Sequence, residues 1–532
     1  MNETKERRER GDYPTPERFA ILAHDHIRTY VSHPYDAVWW DPCAGSSGAL
    51  IRDCPRETTV IATDLRIPPI GVGGRHVTLS SRMDFLNDED LPFDVKKRLG
   101  DGSRWIFIFN PPFGSGVGGQ LLPAGEEVRR GLSDTMVGRK MREAKMGLAT
   151  RNMACQFIWR AETIIRENDL DAVVALFSPA AILNGPGYER FRRKFWFKEA
   201  RCLGGFCFNS KYFDNITAEW PVVYSMWDRG EQKGDVEVDV VEDDSDDIPP
   251  KKIFLVPTLP LSALPRRPKA TVVKPPMSGP LSVATGKIMV DRQSPDALAT
   301  IYADGNDVQH SVSSCYIVTG SHPHTGSWSI TPDNFHSSML MFACRRLVSP
   351  NWLNWRDQFS QPNRDHPDFS QFKLDAITWA LFDEKNLTSS VRLEYKGETY
   401  DLRNQFFWRT IVCGRQSSPF DFIMDDLEDD GGEKRFVATW IDEVGKRISQ
   451  DVMDMVFCFT EFASDTMPYR HLCDPKFQLW RWDSGVYQVR RGMESISNLI
   501  PQDVMDRLDR FKRIHAEVEE RLRPHLSTLG VL

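Results

Sequence analysis

Asn110-Pro111-Pro112-Phe113 has the composition of a rigid polar corner. Proline fixes φ and lacks an amide hydrogen, so the pair holds a stiff turn that aims the Asn side chain and the Pro111 carbonyl outward. Two acceptors in one plane can grip an exocyclic NH2, and the Phe113 ring beside them can stack on the ring that carries it. The other use of such a turn is simply a stiff loop leaving a sheet.

Three further stretches fit around it. Asp41-Pro42-Cys43-Ala44-Gly45-Ser46-Ser47-Gly48 is a run of small residues, expected as a strand-to-helix turn that lets backbone approach a ligand closely. The run itself contains neither of the phosphate patterns GxGxxG and GxxxxGK[ST], so taken alone it also reads as a plain tight turn. Asp64 follows 23 residues after Asp41, where α/β cofactor folds place a carboxylate for ribose hydroxyls. Asp84-Phe85 comes next, suited to an adenine amino group and ring. Singly, each Asp reads as a cap or loop residue. At successive strand ends they outline a nucleoside pocket.

The elements that must position these residues are legible as alternation. Strand-like runs at 36–42, 58–65, 75–81, 105–110, 171–178 and 220–228 are separated by helical segments such as 17–31 and 154–168. That pattern predicts an α/β fold, a mostly parallel sheet covered by helices on both faces, with ligands at the carboxyl ends of the strands. The acidic run "GDVEVDVVEDDSDDIPP" reads as a linker over 231–250. Beyond it, 251–532 reads as a mixed α+β region: Pro-rich short strands to about 310, helices over 334–385, and a long last helix over 500–526. No solenoid-period repeat is visible.

A chain of 532 residues, 41% of them hydrophobic, predicts two or three domains. The formal charge of −8 argues against indiscriminate nucleic-acid binding, yet the basic runs 128–145, 190–198 and 265–269 can line a cleft. Each run also reads as a solvated helix face. The ten cysteines show no CxxC pair and no zinc spacing, so reduced thiols and no metal are expected; His322-Pro323-His324 reads as loop. No membrane-length apolar run and no signal peptide are present, which predicts a cytoplasmic protein.

Taken together, the motifs resemble those of the S-adenosylmethionine-dependent N6-adenine DNA methyltransferases. "YPTP" (13–16) is similar to the family's N-terminal cofactor motif, "DPCAGSSG" to its glycine motif, Asp64 and Asp84-Phe85 to the next two, and "NPPF" to its catalytic motif. The order is that of the subclass with the recognition region C-terminal, which includes type I modification subunits and fused restriction-modification enzymes. Ser47, between Ser46 and Gly48, departs slightly from the glycine motif. The resemblance covers roughly 11–230. It implies a Rossmann-like class I methyltransferase domain with a mostly parallel seven-stranded sheet over 1–230, and a target-recognition or accessory region over 251–532. It implies S-adenosylmethionine held by Tyr13, Thr15, Pro16, Asp41, Pro42, Ala44, Gly45, Ser47, Gly48, Asp64, Leu65, Asp84 and Phe85, with catalysis by Asn110, Pro111, Pro112 and Phe113. Duplex DNA would have its adenine rotated out and its phosphates on Arg129, Arg130, Arg139, Lys140, Arg192, Arg193 and Lys194; a restriction or specificity subunit is the implied partner.

The NPPF turn does not separate adenine in DNA from adenosine in RNA or a protein glutamine. A non-catalytic scaffold with a vestigial fold is the other class of reading. The long connection after Asn110 is expected as a lid that orders on nucleic acid, or as a plain insertion. Pro367-Asp368 with Glu394-Tyr395-Lys396 has the residue types of a PD-ExK nuclease site, at loose spacing that favours chance.

Overall fold

The computed structural model describes residues 14–45, 47–65, 79–112, 135–213, 219–241, 249–255, 259–269, 271–273, 292–322, 326–395, 397–409 and 434–532. They fall into two compact units, Met1–Pro257 with Asn351–Gln358, and Thr258–Pro350 with Phe359–Leu532.

The first unit is built on β1 (Val38–Asp41), β2 (Val60–Asp64), β3 (Leu79–Arg82), β4 (Trp105–Phe109), β5 (Ala172–Pro179), β6 (Ala200–Asn209), β7 (Pro221–Arg229), β8 (Val236–Val240) and β9 (Lys251–Phe254). Its helices are α1 (Glu17–Tyr30), α2 (Phe93–Leu99), α3 (Met136–Glu143) and α4 (Met153–Glu167). The sheet has nine strands, not the seven expected, in the order β3-β2-β1-β4-β5-β7-β6-β8-β9. From β3 to β5 every pairing is parallel. Strand β7 runs antiparallel to both neighbours, β8 is parallel to β6, and β9 turns back on β8.

Alternation along the central strands explains the two helical layers. Trp39, Ile106 and Ile108 join the core on the α1 side, whereas Trp40, Trp105, Phe107 and Phe109 join the core that contains α4 residues such as Ile158. All of these side chains are fully buried.

Three strands of this sheet, β6, β8 and β9, lie beyond the six runs read, two of them for identifiable reasons. In β6, Gly204-Gly205 resembles a turn, yet a Cβ on Gly205 would lie 2.0 Å from the Tyr224 carbonyl oxygen, and Gly204 has φ +150° at a bulge. In β8 the acidic charge hid the alternation of "VEVDV", whose Val236 and Val238 are buried and whose Glu237 and Asp239 are exposed. The expected linker at 231–250 is therefore partly sheet, and the unit ends at 257 instead of 230. Residues 351–358 also return to this unit: Trp352 and Leu353 enter its core, and Lys252 pairs with the buried Asp357.

The second unit contains a four-stranded sheet of Ser327–Ile330, Ala299–Ala303, Cys315–Val318 and Asn386–Leu387, in that spatial order, and among the described residues this unit also has two two-stranded sheets. In chain order its strands are β10 (Val272–Val273), β11 (Arg292–Gln293), β12 (Ala299–Ala303), β13 (Cys315–Val318), β14 (Ser327–Ile330), β15 (Asn386–Leu387), β16 (Val391–Tyr395) and β17 (Glu398–Leu402). Its main helices are α5 (Phe335–Arg346), α6 (Phe369–Ala380), α7 (Phe436–Val444), α8 (Gln450–Asp465), α9 (Val486–Ser495) and α10 (Gln502–Leu522). The last helix lays Val504, Leu508 and Phe511 into this unit's core, with the Phe511 ring 4.8 Å from that of Phe459. Glu394 sits in the β16–β17 hairpin, where it accepts a hydrogen bond from Thr399, while Asp368 is the residue before α6.

Candidate functional site

β1, β2, β3 and β4 are parallel, so their carboxyl ends share one rim, and each delivers one of the singled-out segments. Asn110 follows β4. Its place in the alternation matches Ile106 and Ile108, on the side of the sheet that α1 covers. Thr15 lies just ahead of α1 and is buried. Asn110 Nδ2 donates to Thr15 Oγ1 at 2.9 Å, joining the two segments across 95 positions. The amide's donor is thereby engaged, and Oδ1 is the atom whose chemistry suits an exocyclic amine.

The glycine turn is held from both sides. Asp41 Oδ1 accepts from Cys43 N at 3.0 Å, and Asp64 Oδ2 accepts from Gly45 N at 3.1 Å. The Cys43 thiol, which burial pushes well above its ordinary range, meets the backbone of Asn110, so the turn also touches the NPPF corner. Gly45 has φ +59° and Gly48 φ +51°, values that disfavour a side chain. A Cβ on Gly45 would project into open space, which makes the turn a cradle with a clear face. Leu65 beyond Asp64 is 62% exposed, an apolar surface next to that carboxylate. These features fit a nucleoside ligand whose ribose lies on Asp64.

The expected helix after the glycine turn does not form. Residues 42–45 and 47–53 are turns and irregular backbone, with Gly48 left-handed and Pro55 following within seven residues, too short a run to nucleate a helix. Pro42 and Ala44 are buried supports, Ser47 is exposed, and Pro16 accepts from Phe19 N and Ala20 N at the start of α1.

Asp84 and Phe85 behave differently from expectation. Asp84 Oδ1 accepts from Leu86 N at 3.1 Å and Asn87 N at 3.2 Å, and Oδ2 from Asn87 Nδ2 at 2.8 Å, so the carboxylate organises its own turn. Phe85 is buried, with its ring edge-on to Trp40 at 5.6 Å and 5.2 Å from Phe157. Its ring is thus part of the core and presents no face to an adenine. The competition was between a ligand contact and core packing, and packing took the ring.

Arg192 is a second correction. It is 1% exposed and donates from Nη1 to the carbonyls of Ile182 and Gly185, both at 2.9 Å, bracing the loop after β5. Desolvation pulls its pKa down to about 10. A side chain committed in this way cannot meet phosphate. Arg193, Lys194, Arg139 and Lys140 are exposed as expected. Tyr13, Ser46, Phe113, Arg129 and Arg130 lie outside the described residues, as does the first part of the expected lid. Its second part is the helix α3, capped by Thr135 and fastened by Met136 N to Asn87 Oδ1 at 3.1 Å.

His322 donates or accepts through both ring nitrogens, to Tyr316 Oη and Ser327 Oγ at 2.9 Å each. Among the described residues no cluster of three His, Cys, Asp or Glu is placed to hold a metal, and no helix is long and apolar enough to cross a membrane.

Two expectations follow for the turn. Asp64→Ala removes the support of Gly45 and the carboxylate expected to meet a ribose, so S-adenosylmethionine affinity should fall about 10- to 100-fold, the size of a charge-assisted hydrogen bond. Calorimetry giving an unchanged affinity would remove Asp64 from the site. Burial, opposed by the Cys43 amide and reinforced by the charge of Asp64, lifts Asp41 to about 7. The folded chain then holds a proton that the unfolded chain releases above about pH 4. This group's contribution accordingly lowers stability as pH rises from about 4 to about 7, with no further change above. Asp41→Asn should abolish that slope, so that the variant gains on the wild type by an amount on the order of a few kcal/mol between pH 4.5 and 8 in thermal unfolding. Parallel pH profiles for the two chains would contradict it.

No protein-family model matches the chain, and no curated protein matches it. Among solved structures it is similar to the DrdV–DNA complex, with 15% identity over 45% of this chain and 29% of that one and a TM-score of 0.33. It is also similar to a type I restriction-modification methyltransferase subunit from Streptococcus thermophilus (13% identity, 46% of this chain, 50% of that one, TM-score 0.30). A third is a modification subunit of a putative type I restriction enzyme from Vibrio vulnificus (13%, 46%, 50%, TM-score 0.28). Each match spans half or less of the other chain. The second and third are named as subunits of the type I group that the sequence motifs resemble; at such scores neither activity nor substrate transfers to this protein.

Proposed function

We propose that the first unit transfers the methyl group of S-adenosylmethionine to the N6 amino group of adenine in DNA. The observation that carries this reading is the Asn110–Thr15 hydrogen bond at 2.9 Å, beside a glycine turn secured by Asp64. It ties the Asn110 amide to the segment ahead of α1, on the rim that also carries the glycine turn.

An aromatic amine is a poor nucleophile because its lone pair is shared with the ring. Asn110 Oδ1 and the Pro111 carbonyl would each accept one N–H, drawing the nitrogen toward sp3 and freeing the pair for in-line attack. When bound, S-adenosylmethionine supplies an electrophilic methyl on a sulfonium. Asp64 would hold the ribose, the 44–48 turn would admit the backbone-hugging part of the cofactor, and Thr15 would keep the Asn110 amide in the attacking orientation. The methylated ammonium sheds its proton readily, so the corner needs no strong base. A duplex substrate must have the target base rotated out, and Phe113 is the ring proposed to hold it. On this reading the second unit recognises the target, and a restriction or specificity subunit is the partner to seek by co-purification.

The test is labelled S-adenosylmethionine incubated with unmethylated duplex DNA, with RNA and with cell extract, followed by digestion. Label in N6-methyladenine from DNA alone is the expected result. Label in RNA or in glutamine would replace the substrate, and cofactor binding without any transfer would favour a scaffold.

A further inference from the structure

We propose that the rim beside Asn110 carries a built duplex-DNA surface in which Leu148 is the wedge that fills the base stack and Arg139, Arg142, Lys145, Arg151 and Arg190 hold the flanking phosphates. The proposal rests on the reading of the site given above and adds residues to it.

The segment that links α3 to α4 and the loop after β5 both lie at the carboxyl end of the parallel strands, where Asn110 is. They are locked to each other. Arg190 Nη1 donates to the Lys145 carbonyl at 3.2 Å, and Asn152 Nδ2 donates to Tyr188 Oη at 3.4 Å. Lys145 has φ +59°, a conformation lysine rarely adopts, which turns the chain sharply between α3 and the 3-10 turn Gly147–Arg151.

Leu148 stands on that turn, 54% exposed. One exposed leucine is ordinary. Its seat is not: the side chain rests on Gly187, where an added Cβ would meet Leu148 Cδ1 at 2.7 Å, so a glycine is what allows it to sit there. On α3 and in the two segments the five cationic residues are all exposed, against the acidic Glu143 and Glu189. Arg192 from below fastens the loop carbonyls of Ile182 and Gly185, so the surface is a fixed one.

Charge of this sign suits a phosphate backbone. A rigid aliphatic tip amid cations is the device that enters a duplex step and keeps it open. Single strands are gripped instead by exposed aromatic platforms, and none of the exposed large hydrophobic residues in these two segments is aromatic. An anionic membrane could match the charge, but it would require a broad apolar face where one leucine stands.

The test uses the full chain. Binding of a 30-base-pair duplex is followed by fluorescence anisotropy across a salt series, beside vesicles of phosphatidylglycerol. Arg142→Gln/Arg151→Gln/Arg190→Gln should flatten the plot of log affinity against log salt by about 2 to 3, near 0.9 per lost phosphate contact. Leu148→Ala should leave that slope alone and slow methyl transfer to native genomic DNA at least tenfold relative to transfer to the same DNA melted. An unchanged slope in the triple variant, equal slowing on both DNA forms, or vesicle binding stronger than duplex binding would each overturn the surface. Methylation of DNA by a wild type whose triple variant keeps its slope leaves the proposed function standing. Duplex binding with the expected slopes but no adenine methylation removes that function and retains the surface as a DNA-binding one.

Discussion

Asn110→Ala should lower the rate of methyl transfer by at least 10²- to 10³-fold, the cost of deleting one preorganised polar group from a reacting centre. Cofactor affinity should stay within about threefold, because the bonds that hold the glycine turn run from Asp41 and Asp64, not from Asn110. Thr15→Val provides the graded counterpart. It keeps the shape but withdraws the acceptor of the Asn110 Nδ2 bond, so the rate should fall about tenfold, through loss of orientation and not of the reacting atom. Single-turnover rates with labelled cofactor separate the two. Retention of most activity in Asn110→Ala would remove the mechanism, and a Thr15→Val variant as impaired as Asn110→Ala would move the essential contact to Thr15.

In the second unit, Asp483→Ala should cost about 3–5 kcal/mol, the usual consequence of removing one member of a buried ion pair. Asp483 and Arg435 are both 0% exposed, and Arg435 reaches Asp483 Oδ2 from Nη2 at 3.1 Å and from Nε at 3.3 Å. The same oxygen accepts from Asn404 N at 3.0 Å, and Oδ1 accepts from Arg481 Nε at 3.4 Å. One carboxylate thus ties together the segment after β17, the start of α7 and the approach to α9. Hydrogen exchange should accelerate over Phe436–Val444, and the urea transition should move to lower concentration. A destabilisation under about 1 kcal/mol would show that the neighbours can re-pair without it.

Nothing in the sequence marks Asp483. It sits in "LWRWDSG", where an Asp before Ser-Gly reads as a turn residue, and its partners Asn404 and Arg435 are 79 and 48 positions away. The first unit is the opposite case. "WIFIF" alternates between two cores as its pattern predicts, and the ends of β1, β2 and β4 bring Asp41, Asp64 and Asn110 to one rim. Parallel strands joined through helices have little freedom in where their ends lie, so spacing along the chain translates into position in space.

The sequence by itself therefore determined the α/β character of the first unit and the rim that gathers Asp41, Asp64 and Asn110, because both follow from local periodicity. Tertiary structure alone decided the fates of Phe85 and Arg192 and the return of residues 351–358 to the first unit. Those outcomes depend on which surface is left to cover and which carbonyls are left to satisfy once the sheet has assembled. Such demands are set by residues far away in the chain, and no local pattern records them.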